Sequence, residues 1–257
     1  PDTDYEYDDF SLEFRVKSMS DIGDYAIIDH VVSDDYPNSG TQDRFSVRII
    51  DNYLRVFFRD SSGNILSTNA QTSLTDQWHH VAVTVQASLG QVNIHIDGLN
   101  QTLRTGNRNI GMRSTVNPQG SFQIAKYGDS GYFNGWVDEI RLWDDIRTSE
   151  EIINNMDVEV DNNSNDLIGY WKFNALADVS NHTYDYTGNM NHANVYGANF
   201  EFNHILGCID SLSCNYNDNA TADDGSCDYS CYDTGGYALA FDGINDFVEI
   251  ESNFEDF

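Results

Sequence analysis

The sequence predicts an all-β protein: an antiparallel β-sandwich with one short helix, then a small loop module rich in cysteine and aspartate, then a C-terminal strand. Three observations carry this expectation. Apolar and polar side chains alternate with period two in about ten short segments, the pattern of strands with one face in a core. Glycine, asparagine and aspartate crowd the gaps between them, and the 257 residues include only three prolines, so tight turns join the strands. A single stretch carries a helix-start signature.

Taken in order, Ser11–Lys17 turns Leu12, Phe14 and Val16 one way and Glu13, Arg15 and Lys17 the other. Arg44–Asp51 and Tyr53–Asp60 are almost contiguous and read as a hairpin, with Ser61-Ser62-Gly63-Asn64 as the next turn. Trp78–Val85 is rich in β-branched residues, and Gln91–Asp97 ends on the Asp97-Gly98 turn. Ser121–Lys126, Asn134–Asp144, Ile168–Asn174 and His192–Phe202 complete the first set. Between them, Thr148-Ser149-Glu150-Glu151 is a capping box, and Ile152 and Ile153 supply the buried face of the helix it starts. Many short strands around one helix make a sandwich.

Forty-two acidic residues against thirteen basic ones give a formal charge of −29. Phosphate backbones and anionic membranes are excluded as partners, because binding them needs lysine and arginine. The charge fits solubility in an extracellular or salty setting and also calcium, a hard cation that prefers oxygen ligands. No apolar run approaches the roughly 18 residues of a membrane span. The chain has no basic-then-apolar leader and starts on proline, which reads as a processed chain or an excerpt. Cys208, Cys214, Cys227 and Cys231 fall in one short segment, the signature of a disulfide staple in an oxidising compartment. Zinc is the rival reading, but the segment has no C-x-x-C pair and is rich in oxygen rather than further sulfur or histidine.

Trp78-His79-His80-Val81-Ala82, Ile96-Asp97-Gly98, Asn134–Trp143, Arg147–Ile152 and Gly169–Asn174 resemble the laminin-G-like, concanavalin-type (pentraxin-like) jelly rolls. Phe241-Asp242-Gly243-Ile244-Asn245-Asp246-Phe247-Val248 is similar to that family's opening strands. The resemblance covers residues 10–203 and 237–257. It implies a jelly-roll sandwich, a fold that hosts lectins, adhesion modules and some hydrolases. The segment between, from Gly207 to Cys227, resembles the Cys- and Asp-rich, thrombospondin type 3-like spacers of large bacterial surface proteins. The chain therefore divides into a sandwich lacking its first strand (1–205), a calcium-binding spacer (206–236) and the opening strands of the next sandwich (237–257). Laying Asp256-Phe257 over Asp9-Phe10 joins the two ends into one domain, as in a tandem repeat with a period of about 250 residues.

In the spacer, Asn215, Asn217, Asn219 and Thr221 stand at every second position ahead of Asp223, Asp224 and Gly225. Such alternation resembles a loop that turns oxygen inward around a cation. A second calcium position, implied by the pentraxin-like resemblance, is Asp129 with Asp34 and Asp35. Alternation puts Asp138 on the face of Trp136, Ile140 and Leu142, as a buried structural carboxylate. Adjacent Asp138 and Glu139 face opposite ways and cannot form a glycosidase pair, so no enzyme is expected. His79 and His80 read as packing residues. Asp210-Ser211-Leu212 resembles an O-glycosylation acceptor of some bacteria, marking Ser211.

The expected function is a structural and adhesive unit of an extracellular, calcium-stabilised fibril, its copies joined head to tail. Leu239, Phe241, Phe247, Val248 and Ile250 would be the donated strand residues. Three arrangements stay open: a covalent array, donation between separate chains, or a strand that folds back within its own chain. The alternative is a calcium-dependent lectin of a surface adhesin, binding glycans or other cell surfaces with Tyr132 and Phe133 stacking beside the rim calcium. Neither reading calls for nucleic acid or membrane insertion.

Overall fold

The computed structural model describes residues 9–19, 23–31, 44–59, 65–74, 76–86, 91–101, 121–127, 131–174, 182–202 and 237–250. The strands are β1 (Phe10–Ser18), β2 (Asp24–Val31), β3 (Arg44–Ile50), β4 (Tyr53–Arg59), β5 (Ile65–Ser73), β6 (His79–Gln86), β7 (Gln91–Ile96) and β8 (Leu99–Asn100). There follow β9 (Ser121–Ile124), β10 (Lys126–Tyr127), β11 (Gly131–Tyr132), β12 (Asn134–Trp143), helix α1 (Ser149–Asn155), β13 (Leu167–Trp171), β14 (His182–Thr183), β15 (Ala193–Tyr196) and β16 (Asn199–Phe202). The last two are β17 (Tyr237–Asp242) and β18 (Phe247–Ile250).

These strands form the predicted all-β antiparallel sandwich. Sheet A runs β16-β17-β12-β1-β6-β7-β8, with β13 also on β12; sheet B runs β14-β15-β18-β9-β2-β3-β4-β5. The period-two pattern explains the core. Leu12, Phe14, Val16, Val81, Val83, Val85, Val92, Ile94 and Ile96 face inward from sheet A, and Phe45, Val47, Ile49, Leu54, Val56, Phe122 and Ile124 from sheet B, all in one cluster.

Strand β12 is the spine of sheet A. One edge pairs with β1 along its length. The other pairs with β17 over Asn134–Val137 and with β13 over Ile140–Trp143. A bulge marks the changeover: the register against β1 jumps from Arg141 to Asp138, and Glu139 takes a left-handed φ of 53°. The bulge corrects the expected place of Asp138. The phase of the alternation slips by one, so Val137, Ile140 and Leu142 share the core while Asp138 sits opposite Arg15. Asp138 remains a structural carboxylate, accepting from the Glu139 backbone N–H at 2.9 Å. Burial and the neighbouring Glu139 charge push its pKa well above the usual carboxylate range.

Helix α1 starts as its sequence predicts. The Thr148 hydroxyl accepts from the Glu151 N–H at 3.2 Å, and the Glu151 carboxylate accepts from the Thr148 N–H at 2.8 Å. Ile152 is buried, while Ile153 is exposed. The last turn has no basic residue of its own. Instead Arg141, reaching from β12, donates to the carbonyls of Asn155 at 2.7 Å and Val158 at 2.6 Å. That guanidinium supplies positive charge where the helix leaves unpaired carbonyls.

The C-terminal pair is where the structure departs furthest from expectation. Strand β17 lies between β12 and β16, and β18 between β15 and β9, all within one chain. Residues 237–250 therefore complete this chain's own sandwich, the fold-back arrangement, and not a neighbour's. The physical reason is register. Leu239 and Phe241 pair with Val137 and Gly135, and Val248 and Ile250 with Ile124 and Phe122, so those four apolar side chains close the gap in the core they were expected to fill elsewhere.

Candidate functional site

The outer face of sheet B gathers the most recognition chemistry among the described residues. The alternation that sends Val248 and Ile250 inward sends Phe247 and Glu249 outward on β18. Phe247, one of the expected donated-strand residues, stacks on Tyr196 of β15 at 4.5 Å between centroids and 16° between planes. The Lys126 ammonium stands 4.1 Å over the same Phe247 ring. Tyr196 is 41% exposed; the Phe247 ring lies between Tyr196 and the Lys126 ammonium, so Tyr196 is the open ring of the pair.

The next row carries polar groups. Register aligns Asn194, Glu249, Gln123, Asp29, Ser46, Phe57 and Ser67 across seven strands. The Gln123 side-chain amide donates to Glu249 Oε1 at 3.2 Å, which orients both groups. Further along, Arg48 lies 4.6 Å and Arg55 5.7 Å from the Phe57 ring. Arg48 Nε also donates to Ser46 Oγ at 2.9 Å. Asp29 and Ser46 are wholly buried and Arg48 nearly so, so what this face offers a ligand is the Tyr196 ring beside the half-buried amide of Gln123 and carboxylate of Glu249.

Two other polar clusters build structure rather than a face. Asp185 is fully enclosed. Its Oδ1 accepts from the backbone N–H of Tyr170 and of Thr187, and its Oδ2 from Asn191 N–H, while the Thr187 hydroxyl reaches both oxygens. On sheet A, beneath α1, His80 Nε2 stands 3.1 Å from Glu13 Oε2, both buried, without hydrogen-bond alignment. His95 Nε2 meets Ser149 Oγ of α1 at 3.2 Å. Burial, then the neighbouring His80 charge, hold the His95 pKa below its ordinary value. The adjacent His79 bonds Asp97 at 2.8 Å, so both histidines of the expected packing pair have acidic partners.

The sequence-predicted sites fare differently. Asp34, Asp35, Asp129, Asn215, Asn217, Asn219, Thr221, Asp223, Asp224, Ser211 and the four cysteines Cys208, Cys214, Cys227 and Cys231 lie outside the described residues. Phe133, expected beside a sugar, is corrected: it is wholly buried and packs on Phe241 at 6.3 Å. Gly135 allows this. A Cβ there would meet the Lys17 carbonyl at 2.2 Å and the Phe133 ring at 2.6 Å. Tyr132 is half-buried. Tyr196, Lys126, Gln123 and Glu249 were not anticipated. The signal was in the Phe-Val-Glu-Ile alternation, which fixes Phe247 and Glu249 on one face.

Comparison with known proteins now decides the family. Residues 1–153, more than half of the chain, match the laminin-G-type family described as the concanavalin A-like lectin/glucanases superfamily. The chain belongs to this family. Similar solved structures include a Bacteroides ovatus protein ascribed a carbohydrate-binding role, with 22% identity, a TM-score of 0.53, and coverage of 74% of this chain and 53% of that one. This laminin-G-type chain thus spans about half the length of that relative. Others are the CBM40 module of a Ruminococcus gnavus IT-sialidase (9% identity, 59% and 84% covered, TM-score 0.46) and a SAP-like pentraxin from Limulus polyphemus (15%, 56% and 68%, 0.41). No curated protein matches.

Proposed function

We propose that this laminin-G-type domain is an extracellular saccharide-binding module. The observation that carries the proposal is the exposed Tyr196–Phe247 stack beside the oriented Glu249–Gln123 pair. The C–H face of a pyranose packs against Tyr196, which Phe247 holds in place, and its hydroxyls bond the amide and carboxylate of the next row. The carbohydrate-binding role ascribed to the Bacteroides ovatus relative points the same way. Calcium belongs to the proposal through the spacer pattern from Asn215 to Asp224 and through Asp129. Binding without turnover is proposed because the Asp138-Glu139 carboxylates sit at a bulge in sheet A, away from this face.

A glycan array followed by titration calorimetry, in calcium and in chelator, tests the reading. A ligand should appear, and Tyr196→Ala and Phe247→Ala should each weaken it at least tenfold, about 1.4 kcal/mol. An array without ligands, or variants that bind as tightly as wild type, would sink it.

The second reading is the structural one, in which copies associate into a calcium-stabilised adhesive assembly. Its basis is that β17 and β18 fill interior slots in both sheets, so copies that exchanged these strands would be joined through paired backbone and core contacts.

A further inference from the structure

We propose that residues 237–250 form an exchangeable arch, and that its alternative seat is the same slot in a second copy of this chain. The inference rests on the second reading above and names the contact through which copies would associate.

The arch is a unit in itself. Strands β17 and β18 belong to different sheets, and the turn between them is closed from within. Asp242 N–H donates to Asp246 Oδ2 at 2.9 Å, Ile244 N–H donates to Asp242 Oδ1 at 2.9 Å, and Gly243 takes a left-handed φ of 79°. Its ladder partners are β12 and β16 in sheet A and β15 and β9 in sheet B. Leu239, Phe241, Val248 and Ile250 are each at most 2% exposed. An empty slot would thus leave unpaired strand edges in both sheets and a breach in the core.

The covalent tie to this unit is far longer than its geometry requires. Strands β16 and β17 are antiparallel neighbours, with Phe202 opposite Tyr237. A hairpin in that register closes with a turn of about two to five residues. Here 34 residues, 203–236, intervene. The connection exceeds what the register needs several-fold, and nothing in that register confines the arch to its own copy.

The slot of another copy offers the arch the same partners. Closed and exchanged forms therefore differ only in tether entropy and chain concentration, the condition under which domain swapping occurs. A tether of this kind gives the arch an effective concentration in the millimolar range at most. Refolding at concentrations approaching that value favours exchange, whereas dilute refolding favours closure. Reciprocal exchange closes a dimer; exchange that runs onward makes a filament.

The test uses Asn194 and Glu249, which face each other across β15 and β18. Full-length Asn194→Cys and Glu249→Cys chains are mixed, unfolded in denaturant, refolded together at high concentration, treated with a short thiol cross-linker, and mapped by mass spectrometry alongside light scattering. A chain carrying both changes sets the yield of the link within one copy. Each mixed chain carries only one of the two introduced cysteines, so a 194–249 link joins different chains, and a yield matching that of the doubly changed chain marks exchange rather than contact between faces. We expect that link in a species of at least twice the chain mass, and its loss on dilute refolding. Multimers without the link would overturn exchange while leaving association standing. Monomers without the link would overturn both.

Discussion

Phe241 and Phe247 are six residues apart on one arch, yet the structure gives them opposite work, and substituting each by alanine separates the two roles. Phe241 is 2% exposed and packs at 6.3 Å on wholly buried Phe133. Removing a buried phenylalanine costs about 3–5 kcal/mol, since the cavity relaxes only in part. Domains as a class hold about 5–15 kcal/mol in total, so Phe241→Ala should remove a large share of the stability. For a domain of this size, each kcal/mol lowers Tm by about 2–4 °C, which sets the expected drop at about 6–20 °C. Phe247 offers only a half-exposed stack on Tyr196, so Phe247→Ala should cost about 1 kcal/mol. Urea titration followed by tryptophan fluorescence, with calorimetry beside it, measures both. A Phe241→Ala cost under about 1 kcal/mol would mean the arch is not seated in the core. Equal costs for the two variants would refute the inward and outward assignment on which the proposed binding face rests.

Arg141→Ala should cost about 3–5 kcal/mol, because it strips the carbonyls of Asn155 and Val158, at and just past the end of α1, and leaves Glu139 beside Tyr170 without its 2.8 Å guanidinium; a loss under about 1 kcal/mol by urea titration would remove the capping role. Thr148→Ala, which ends the capping box, should lower stability by about 1 kcal/mol, read from the same titration. His95 has a folded pKa below its unfolded one, so the unfolded chain takes up the proton first and stability falls as pH drops through the ordinary histidine range. His95→Gln should flatten the pH dependence of the urea midpoint there, and an unchanged slope would contradict it. Replacing residues 203–236 by Asn-Gly should leave a monomer at every refolding concentration and add on the order of 2 kcal/mol through the shorter closure; light scattering and denaturant titration check both.

The fold was legible because it rests on local rules. Leu12, Phe14 and Val16 alternate in the sequence and pack in one core, and Thr148 with Glu151 begins a helix where the capping box stands. Asp138 was misplaced for an equally physical reason. Period two assumes an unbroken strand, and the bulge at Glu139 exists because β12 must serve two neighbours on one edge, a long-range demand with no local mark. Arg141 likewise alternates inconspicuously between Ile140 and Leu142; its task comes from where α1 ends, which only tertiary packing decides. The proposed binding face is the extreme case. Tyr196, Phe247 and Lys126 come from three separate parts of the chain, and no spacing brings them together.

That last point couples the two halves of the proposed function. Strand β18 turns Val248 and Ile250 into the core and Phe247 and Glu249 onto the outer face, so seating the arch and building the face are one event. Tyr196, Asn194, Gln123 and Lys126 wait on β15, β9 and β10, and lack their ring and carboxylate partners until β18 arrives. In a closed chain all of these residues belong to one copy. In an exchanged pair, each face is composite, with Phe247 and Glu249 from one copy and Tyr196 and Gln123 from the other. A chain bearing Tyr196→Ala and one bearing Phe247→Ala each form only defective faces on their own. Refolded together at high concentration, half of the faces in a mixed exchanged pair carry neither substitution, and saccharide binding should return to that extent. Mixtures that bind no better than either variant alone would mean that each arch stays in its own chain.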